Sequence, residues 1–329
     1  MKHTRLGRTG LHVSRLCLGT MTFGRQCDEA ASHAILDHAA ESGISFIDTA
    51  DLYPAAGPET NGDTERIIGR WMQGRRDEVV LATKFWGPTG PQPWHRGSSR
   101  RHIMDAVEGS LSRLQTDVID LYQVHFPDDK TSHDETLQAL DDLIGQGKVH
   151  YIGCSNYPAW MLARAIGRSE VLDVARFDVV QPRYNLLFRQ FERDLFALCE
   201  ADNIAVIPYN PLAGGLLTGK HQRESPQAGS RFTISGGQGD RYLERYWQDQ
   251  LHDVVDAIRP LADQAGMSMA QLAVAWVLAN PVITAPIIGA TRPEQLDDAV
   301  AAVDQGLDAD LKAELDALSD HLRVTDQER

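Results

Sequence analysis

The sequence predicts a (β/α)8 TIM barrel with an N-terminal β-hairpin and long loops on its C-terminal face. Three observations predict it. Eight short apolar runs alternate with amphipathic helical stretches along 329 residues, the sequence form of repeated βα units. The runs are almost continuously apolar, as parallel strands buried on both faces must be. Polar residues gather at their C-terminal ends, where such barrels build their sites. A doubly wound sheet is the competing α/β architecture.

Residues 2–6 and 12–15 flank Gly7-Arg8-Thr9-Gly10, which reads as a hairpin turn before the barrel. Strands are expected at 16–19, 46–49, 79–84, 121–125, 149–155, 179–182, 205–209 and 284–289. Helices are expected near 28–42, 64–73, 99–114, 134–146, 159–168, 190–202, 268–279 and 293–303. Ser99 and Asp134 are the expected N-caps of two of them. Gly43 and Gly147 stand just past helix ends, where a left-handed residue is wanted. Residues 210–240 are rich in Gly, Pro and Ser without periodicity and read as a lid, followed by one extra helix at 242–265. The polar tail from Val324 is expected to fray. The whole chain, 1–329, reads as a single domain.

Hydrophobic residues make up 42% and charged residues 24%, the balance of a soluble globular protein. The net charge of −14 is spread along the chain, which disfavours nucleic acid and anionic membrane as partners while permitting a local phosphate site. Cys17, Cys27, Cys154 and Cys199 form no CxxC pair, and no HExxH occurs, so no metal is expected. There is no apolar signal-peptide core and no apolar run of the ~18 residues that a membrane helix needs. A cytoplasmic location is the resulting expectation.

The polar residues at the strand ends define the chemistry. Asp48 closes the second strand and Tyr53 follows it. Lys84 closes the third, with Trp86 just beyond, and His125 closes the fourth. A lysine ending an apolar strand is costly to bury without purpose. An ammonium beside a phenol would lower the phenol's pKa from ~10 toward useful proton exchange. Asp48 would hold that ammonium, and His125 would orient a carbonyl or help pass the proton. Ser155, Asn156, Gln181 and Tyr209 end the next three strands.

These segments resemble the aldo-keto reductase family. Phe46-Ile47-Asp48-Thr49-Ala50-Asp51-Leu52-Tyr53 is similar to the signature after the family's second strand. Leu81-Ala82-Thr83-Lys84 and Asp120-Leu121-Tyr122-Gln123-Val124-His125 are similar to its lysine and histidine segments. The likeness runs from about Arg5 to about Val303. It implies reduction of aldehydes or ketones by NADPH, with Asp48, Tyr53, Lys84 and His125 as the catalytic four. It implies nicotinamide contacts from Ser155, Asn156, Gln181 and Tyr209. Gly19, Thr20, Met21, Asn210, Pro211, Leu212, Gly214 and Lys220 would continue the cofactor site along the pyrophosphate. Ile288, Gly289, Thr291, Arg292, Gln295 and Asp298 would take the 2′-phosphate and adenine. Ala299 departs from the family's pattern, and the basic residue near 290 is shifted to Arg292, which loosens the preference for NADPH over NADH. Trp86 and Phe23 are the expected substrate-pocket walls. The partner is a small carbonyl substrate, and the resemblance leaves homo-oligomers open.

Other readings use the same residues differently. A Schiff-base aldolase would employ Lys84, and a metal-dependent hydrolase would employ Asp48, Asp51 and His125. Some members of the family are NADPH-binding subunits of membrane channels with little turnover. Gly214–Lys220 also spells GxxxxGK, but His221 stands where a P-loop needs Ser or Thr, and no GxGxxG is present.

Overall fold

The structure, a computed structural model, describes residues 1–235 and 237–323, so the expectation for the tail from Val324 lies outside the described residues. Strands β1 (His3–Arg5) and β2 (His12–Ser14) form the expected hairpin, with His3 opposite Ser14. Gly7 turns it at φ +55°, with its Cα so close to Asn203 and Ala205 that a Cβ would stand 2.7 Å from their backbone. Leu6 and Val13 are fully buried and join Cys17, Phe46, Ala82, Leu121 and Val179 in the barrel interior. The hairpin thereby plugs the N-terminal end of the barrel and leaves the other end for chemistry.

Eight parallel strands follow: β3 (Cys17–Gly19), β4 (Phe46–Asp48), β5 (Val80–Phe85), β6 (Ile119–Val124), β7 (Val149–Ser155), β8 (Val179–Gln181), β9 (Ala205–Val206) and β10 (Ile287–Gly289). Their order is β10-β3-β4-β5-β6-β7-β8-β9. The ring closes where Thr284 N donates to Val206 O and Ile287 N to Pro208 O, both at 2.8 Å. The (β/α)8 barrel is therefore what the sequence predicts, with β9 and β10 shorter than expected because bridges at Tyr209 and Ile283 replace continuous ladder there.

The outer layer comprises α1 (Glu29–Glu41), α2 (Asp63–Trp71), α3 (Arg100–Leu114), α4 (His133–Gly145), α5 (Ala159–Leu172), α6 (Leu195–Ala201), α7 (Gln238–Tyr246), α8 (Asp249–Ala265), α9 (Met269–Leu278), α10 (Asp297–Gln305) and α11 (Ala309–Ser319). Ser99 caps α3 as expected, accepting from His102 N. Asp134 does not cap α4. Ser132 does, accepting from Glu135 N at 3.2 Å, and Asp134 instead takes both Arg168 Nε and Nη2 at 2.7 Å. The single helix expected at 242–265 is two, because the chain leaves helical geometry at Trp247 (φ −90°, ψ 67°). Helix α11 had no sequence expectation. Among the described residues no helix is long and apolar enough to cross a membrane.

Gly69, inside α2, marks how tightly the outer layer packs. A glycine inside a helix ordinarily gains about 1 kcal/mol on conversion to alanine. Here the new Cβ would stand 2.4 Å from Arg113 O and 2.7 Å from Leu114 C, backbone atoms of α3 that cannot swing aside. Gly69→Ala is expected to destabilise by about 1–3 kcal/mol, read from a denaturant midpoint, because overpacking outweighs the propensity gain. A rise in the midpoint would mean α2 and α3 slide apart freely.

Candidate active site

The second and third barrel strands bring Asp48 and Lys84 together. Asp48 pairs in register with Ala82, and Lys84 follows two residues later on the same face of β5. Lys84 has no exposed surface, a position that costs an ammonium several kcal/mol unless it is paired. It donates to Asp48 Oδ1 at 2.5 Å and to Thr49 O at 2.8 Å. Asp48 Oδ2 accepts from Gln123 Nε2 at 3.1 Å and Gln181 Nε2 at 2.9 Å, so the carboxylate is fully engaged. Burial pulls the Lys84 pKa down, but Asp48 and Tyr53 outweigh it and leave the ammonium above its ordinary value. Gln123 was not singled out from sequence. The signal was there: it lies two residues before His125, on the inward face of an apolar strand.

Tyr53 stands over this pair. Lys84 Nζ lies 5.1 Å from the Tyr53 ring centroid, and His125 meets the same ring edge-on at 5.7 Å. The expected lowering of the phenol's pKa is half right. Lys84 pulls it down by charge and hydrogen bonding, yet burial is the larger effect and leaves it above the ordinary tyrosine value. His125 is held far below its ordinary value, by burial first and Lys84 second, so it is a neutral imidazole at physiological pH. It can donate a hydrogen bond to an oxygen but carries no surplus proton. Among the described residues its buried Nδ1 has no hydrogen-bond partner. Phe126, unforeseen in the sequence, stacks on His125 at 4.5 Å and meets Trp86 edge-on at 5.3 Å. Trp86 thus stands beside Phe126 at the ends of β5 and β6. Phe23 is not a pocket wall: it has no exposed surface and belongs to the core beside Thr64, so it offers nothing to a ligand.

The strand ends around the other half of the ring form one polar cluster. Tyr209 hydroxyl donates to Asn156 Oδ1 at 2.9 Å. Asn156 Nδ2 donates to His125 O at 2.9 Å and Ser155 Oγ at 3.1 Å, and Ser155 Oγ donates to Gln181 O at 2.9 Å. Asn156 holds this position at φ +63° and so ties Tyr209 to the His125 backbone. Gly19 ends β3 against Ile287, Thr20 Oγ1 donates to Asp48 O at 2.9 Å, and Met21 Sδ accepts from Gln238 of the lid. Asn210 (φ +67°) precedes buried Pro211, half-buried Leu212 and then Gly214 and Gly215, both at positive φ. Tyr242 of α7 packs on Gly214, where a Cβ would meet its ring at 2.7 Å, so this glycine admits the lid's tyrosine. Tyr242 was invisible to sequence reading because its place depends on the lid's path.

Beyond β10, Thr291 N and Oγ1 donate to Gln295 Oε1 at 2.8 and 3.2 Å, and buried Ile288 is followed by exposed Gly289. Exposed Lys220 is kept below its ordinary pKa by burial of its stem and by the neighbouring Arg292, and Asp298 is half-buried in the first turn of α10. Asp51 faces away from this site. Its carboxyl is buried and pushed well above the usual range by burial and then by Glu65. Among the described residues no group of three or more His, Cys, Asp or Glu is placed to hold a metal ion.

The model of the aldo/keto reductase family matches residues 15–320. The chain belongs to this family. It is 41% identical over 320 residues to the uncharacterized oxidoreductase YrpG of Bacillus subtilis (strain 168), covering 94% of each chain. It is 36% identical over 310 residues to a probable voltage-gated potassium channel subunit beta of Arabidopsis thaliana, covering 92% of each. It is 33% identical over 309 residues to norsolorinic acid reductase A of Aspergillus parasiticus, covering 89% of this chain and 74% of the fungal protein. Membership gives this aldo/keto reductase chain an oxidoreductase's ancestry.

Buried histidines give the barrel a pH signature. His102, under the loop that follows Trp86, is pulled down to about 4, by burial above all, which outweighs the nearby Asp105 and the Gly87 backbone. The unfolded chain takes up this proton near pH ~6.5, before the folded chain does. Stability is therefore full above that pH and drains as pH falls toward about 4. The melting temperature is expected to fall over that window, and less steeply in His102→Gln. Equal slopes would assign the acid sensitivity elsewhere.

Proposed function

We propose that the protein reduces aldehydes or ketones to alcohols with NADPH, Tyr53 giving the proton to the carbonyl oxygen. The observation that carries this is the fully buried Lys84, fixed by Asp48 and set against the Tyr53 ring. The nucleotide fits the residues present. Gly215 stands at φ +106°, which favours glycine, and a Cβ there would come into ordinary contact with His221 at 3.5 Å and Lys220 at 3.9 Å without a clash. Lys220 and Arg292 stand near each other without an ion-pair partner among the described residues, as a phosphate requires. Tyr209 would give its face to the nicotinamide, and Ser155, Asn156 and Gln181 would hold its amide. Thr291, Arg292 and Lys220 would take the 2′-phosphate.

Bound there, the nicotinamide supplies hydride to the carbonyl carbon. The protein's own groups manage the oxygen. Neutral His125 donates a hydrogen bond to it, Tyr53 delivers a proton, and the Lys84 ammonium stabilises the phenolate left behind. Trp86 and Phe126 exclude water on the substrate side.

The kinship with a channel beta subunit favours a second reading, an NADPH-binding subunit with little turnover. One titration separates the two. The expected result is tight NADPH binding, weaker NADH binding, and cofactor oxidation that depends on added aldehyde. Tight binding without oxidation selects the second reading, and failure to bind either nucleotide sinks both.

A further inference from the structure

The reductase reading gives Arg25 no part, yet this side chain holds three segments of the barrel mouth together. Arg25 leaves the loop after β3, and that loop is tied down on both sides. Thr20 Oγ1 donates to Asp48 O at 2.9 Å and Thr22 Oγ1 to Ala290 O at 2.7 Å. From this base the half-buried guanidinium reaches two ways. Its Nη1 donates to Ala55 O and to Gln238 Oε1, both at 2.9 Å, and its Nη2 donates to Ser235 O at 2.7 Å. All three acceptors are uncharged, and among the described residues Arg25 has no ion-pair partner. The planar fork therefore acts here by direction rather than by neutralising a charge.

One arm of the fork ends beside Tyr53. Ala55 N donates to Leu52 O at 2.9 Å, which closes a tight turn with Tyr53 inside it. Ala55 stands at φ +57°, left-handed backbone that an alanine holds only where its surroundings over-determine it. Arg25 on its carbonyl helps to do so, and Gly24 packs beside the same turn, where a Cβ would lie 3.7 Å from Pro54. The other arm ends on the lid. Ser235 precedes α7 and Gln238 begins it. Gln238 Nε2 also donates to Met21 Sδ at 3.7 Å, and Tyr242, one turn further along α7, rests on Gly214. A seated lid thus supplies two of the three acceptors that keep Arg25 in place. When the lid lifts, the fork loses both, and a long side chain with its rotamer freedom restored is all that remains on the Ala55 carbonyl.

We propose that Arg25 is a positioning residue for Tyr53, transmitting the seating of the lid to the turn that carries the phenol, so that proton delivery is fast only under a seated lid. This rests on the reductase reading. Hydrogen bonds to β5 reach as far as Asp51 N, which donates to Lys84 O at 3.0 Å. Beyond it the turn depends on its own bonds, on Gly62 N, which donates to Tyr53 O at 3.1 Å, and on Arg25. A displacement of ~1 Å at a reacting group costs up to ~100-fold in rate, so a modest loosening of this turn is felt in the chemical step.

The test follows single-turnover NADPH oxidation by 4-nitrobenzaldehyde in the full-length protein, for the wild type, Arg25→Gln, Arg25→Lys, Gln238→Ala and the double variant Arg25→Gln/Gln238→Ala. Arg25→Gln is expected to slow the single-turnover rate roughly tenfold, within the range for a displaced reacting group. Its solvent deuterium isotope effect should rise, while the aldehyde KM and the NADPH dissociation constant stay close to wild type. Arg25→Lys, which keeps a donor for the Ala55 carbonyl, is expected to recover part of the rate. Gln238→Ala should lose less, and the double variant should be no slower than Arg25→Gln alone, because both act through one fork. An unchanged rate in Arg25→Gln overturns the proposal. A loss carried by KM or by NADPH affinity overturns it too, since Arg25 would then only hold the lid over the nucleotide. An additive double variant or an unchanged isotope effect does the same. No aldehyde-dependent oxidation by the wild type would instead refute the reductase reading and this role with it, a result distinct from wild-type turnover that Arg25→Gln leaves intact.

Discussion

Tyr53→Phe is expected to lower kcat for aldehyde reduction by about 10²–10⁴-fold, the usual worth of a positioned general acid, and to leave NADPH affinity nearly intact. The substitution removes one oxygen. The ring keeps its edge contact with His125 at 5.7 Å and its place over Lys84 at 5.1 Å, so the barrel mouth retains its shape. Two neighbours cannot take over. His125 is neutral, held down by burial and then by Lys84, and Lys84 is bound to Asp48 and to the Thr49 carbonyl. Stopped-flow measurement of cofactor oxidation, with a separate fluorescence titration of NADPH, reads the two quantities apart. Loss of both together would make the phenol structural, and an unchanged rate would remove it from proton transfer. The pH dependence adds a sign. Burial keeps Tyr53 above its ordinary pKa despite the pull of Lys84, so the acid form persists through neutrality. Wild-type reduction should decline only as pH rises through that raised value.

The elements that sequence reading found and those it missed differ by what fixes them. Strand β7 was placed to the residue because its apolar run from Val149 to Ser155 is set by local composition. The convergence of Asp48 and Lys84 was legible because strand ends of a barrel share one rim. Gln181 was read as a polar strand end and Gln123 was passed over, and their common partner, Asp48 Oδ2, depends on distances that a sequence does not carry. Phe23 failed for the opposite reason. An aromatic just past the first strand has two destinations, and only packing against the chain near Thr64 decides between them. Asp134 was a chemically sound cap, displaced because Ser132 starts the helix earlier and Arg168 claims the carboxylate. The lid was recognised by its composition, whereas Tyr242 reaches Gly214 on a helix that ends at Trp247, a break that no periodicity announces.

Removing the partner of the buried lysine is expected to have the largest effect on stability. Asp48→Asn leaves the Lys84 ammonium, which has no exposed surface, with an amide oxygen and the Thr49 carbonyl in place of a carboxylate. Breaking one side of a buried pair costs about 3–5 kcal/mol, and for a chain of this length that lowers the melting temperature by roughly 4–7 °C. The double variant Asp48→Asn/Lys84→Met buries no charge, and the amide oxygen introduced at position 48 can still accept from Gln123 and Gln181, so it should recover most of that loss. Activity should not recover, because the phenolate at Tyr53 would then form without a cation beside it. A double-mutant cycle on melting temperature and on kcat measures both couplings. If the double variant is as unstable as Asp48→Asn alone, the cost lies in the hydrogen bonds to the two glutamines and not in the stranded charge. If stability returns while reduction stays lost, the pair is retained at this position for what it does to Tyr53, since two uncharged side chains of similar volume hold the barrel equally well.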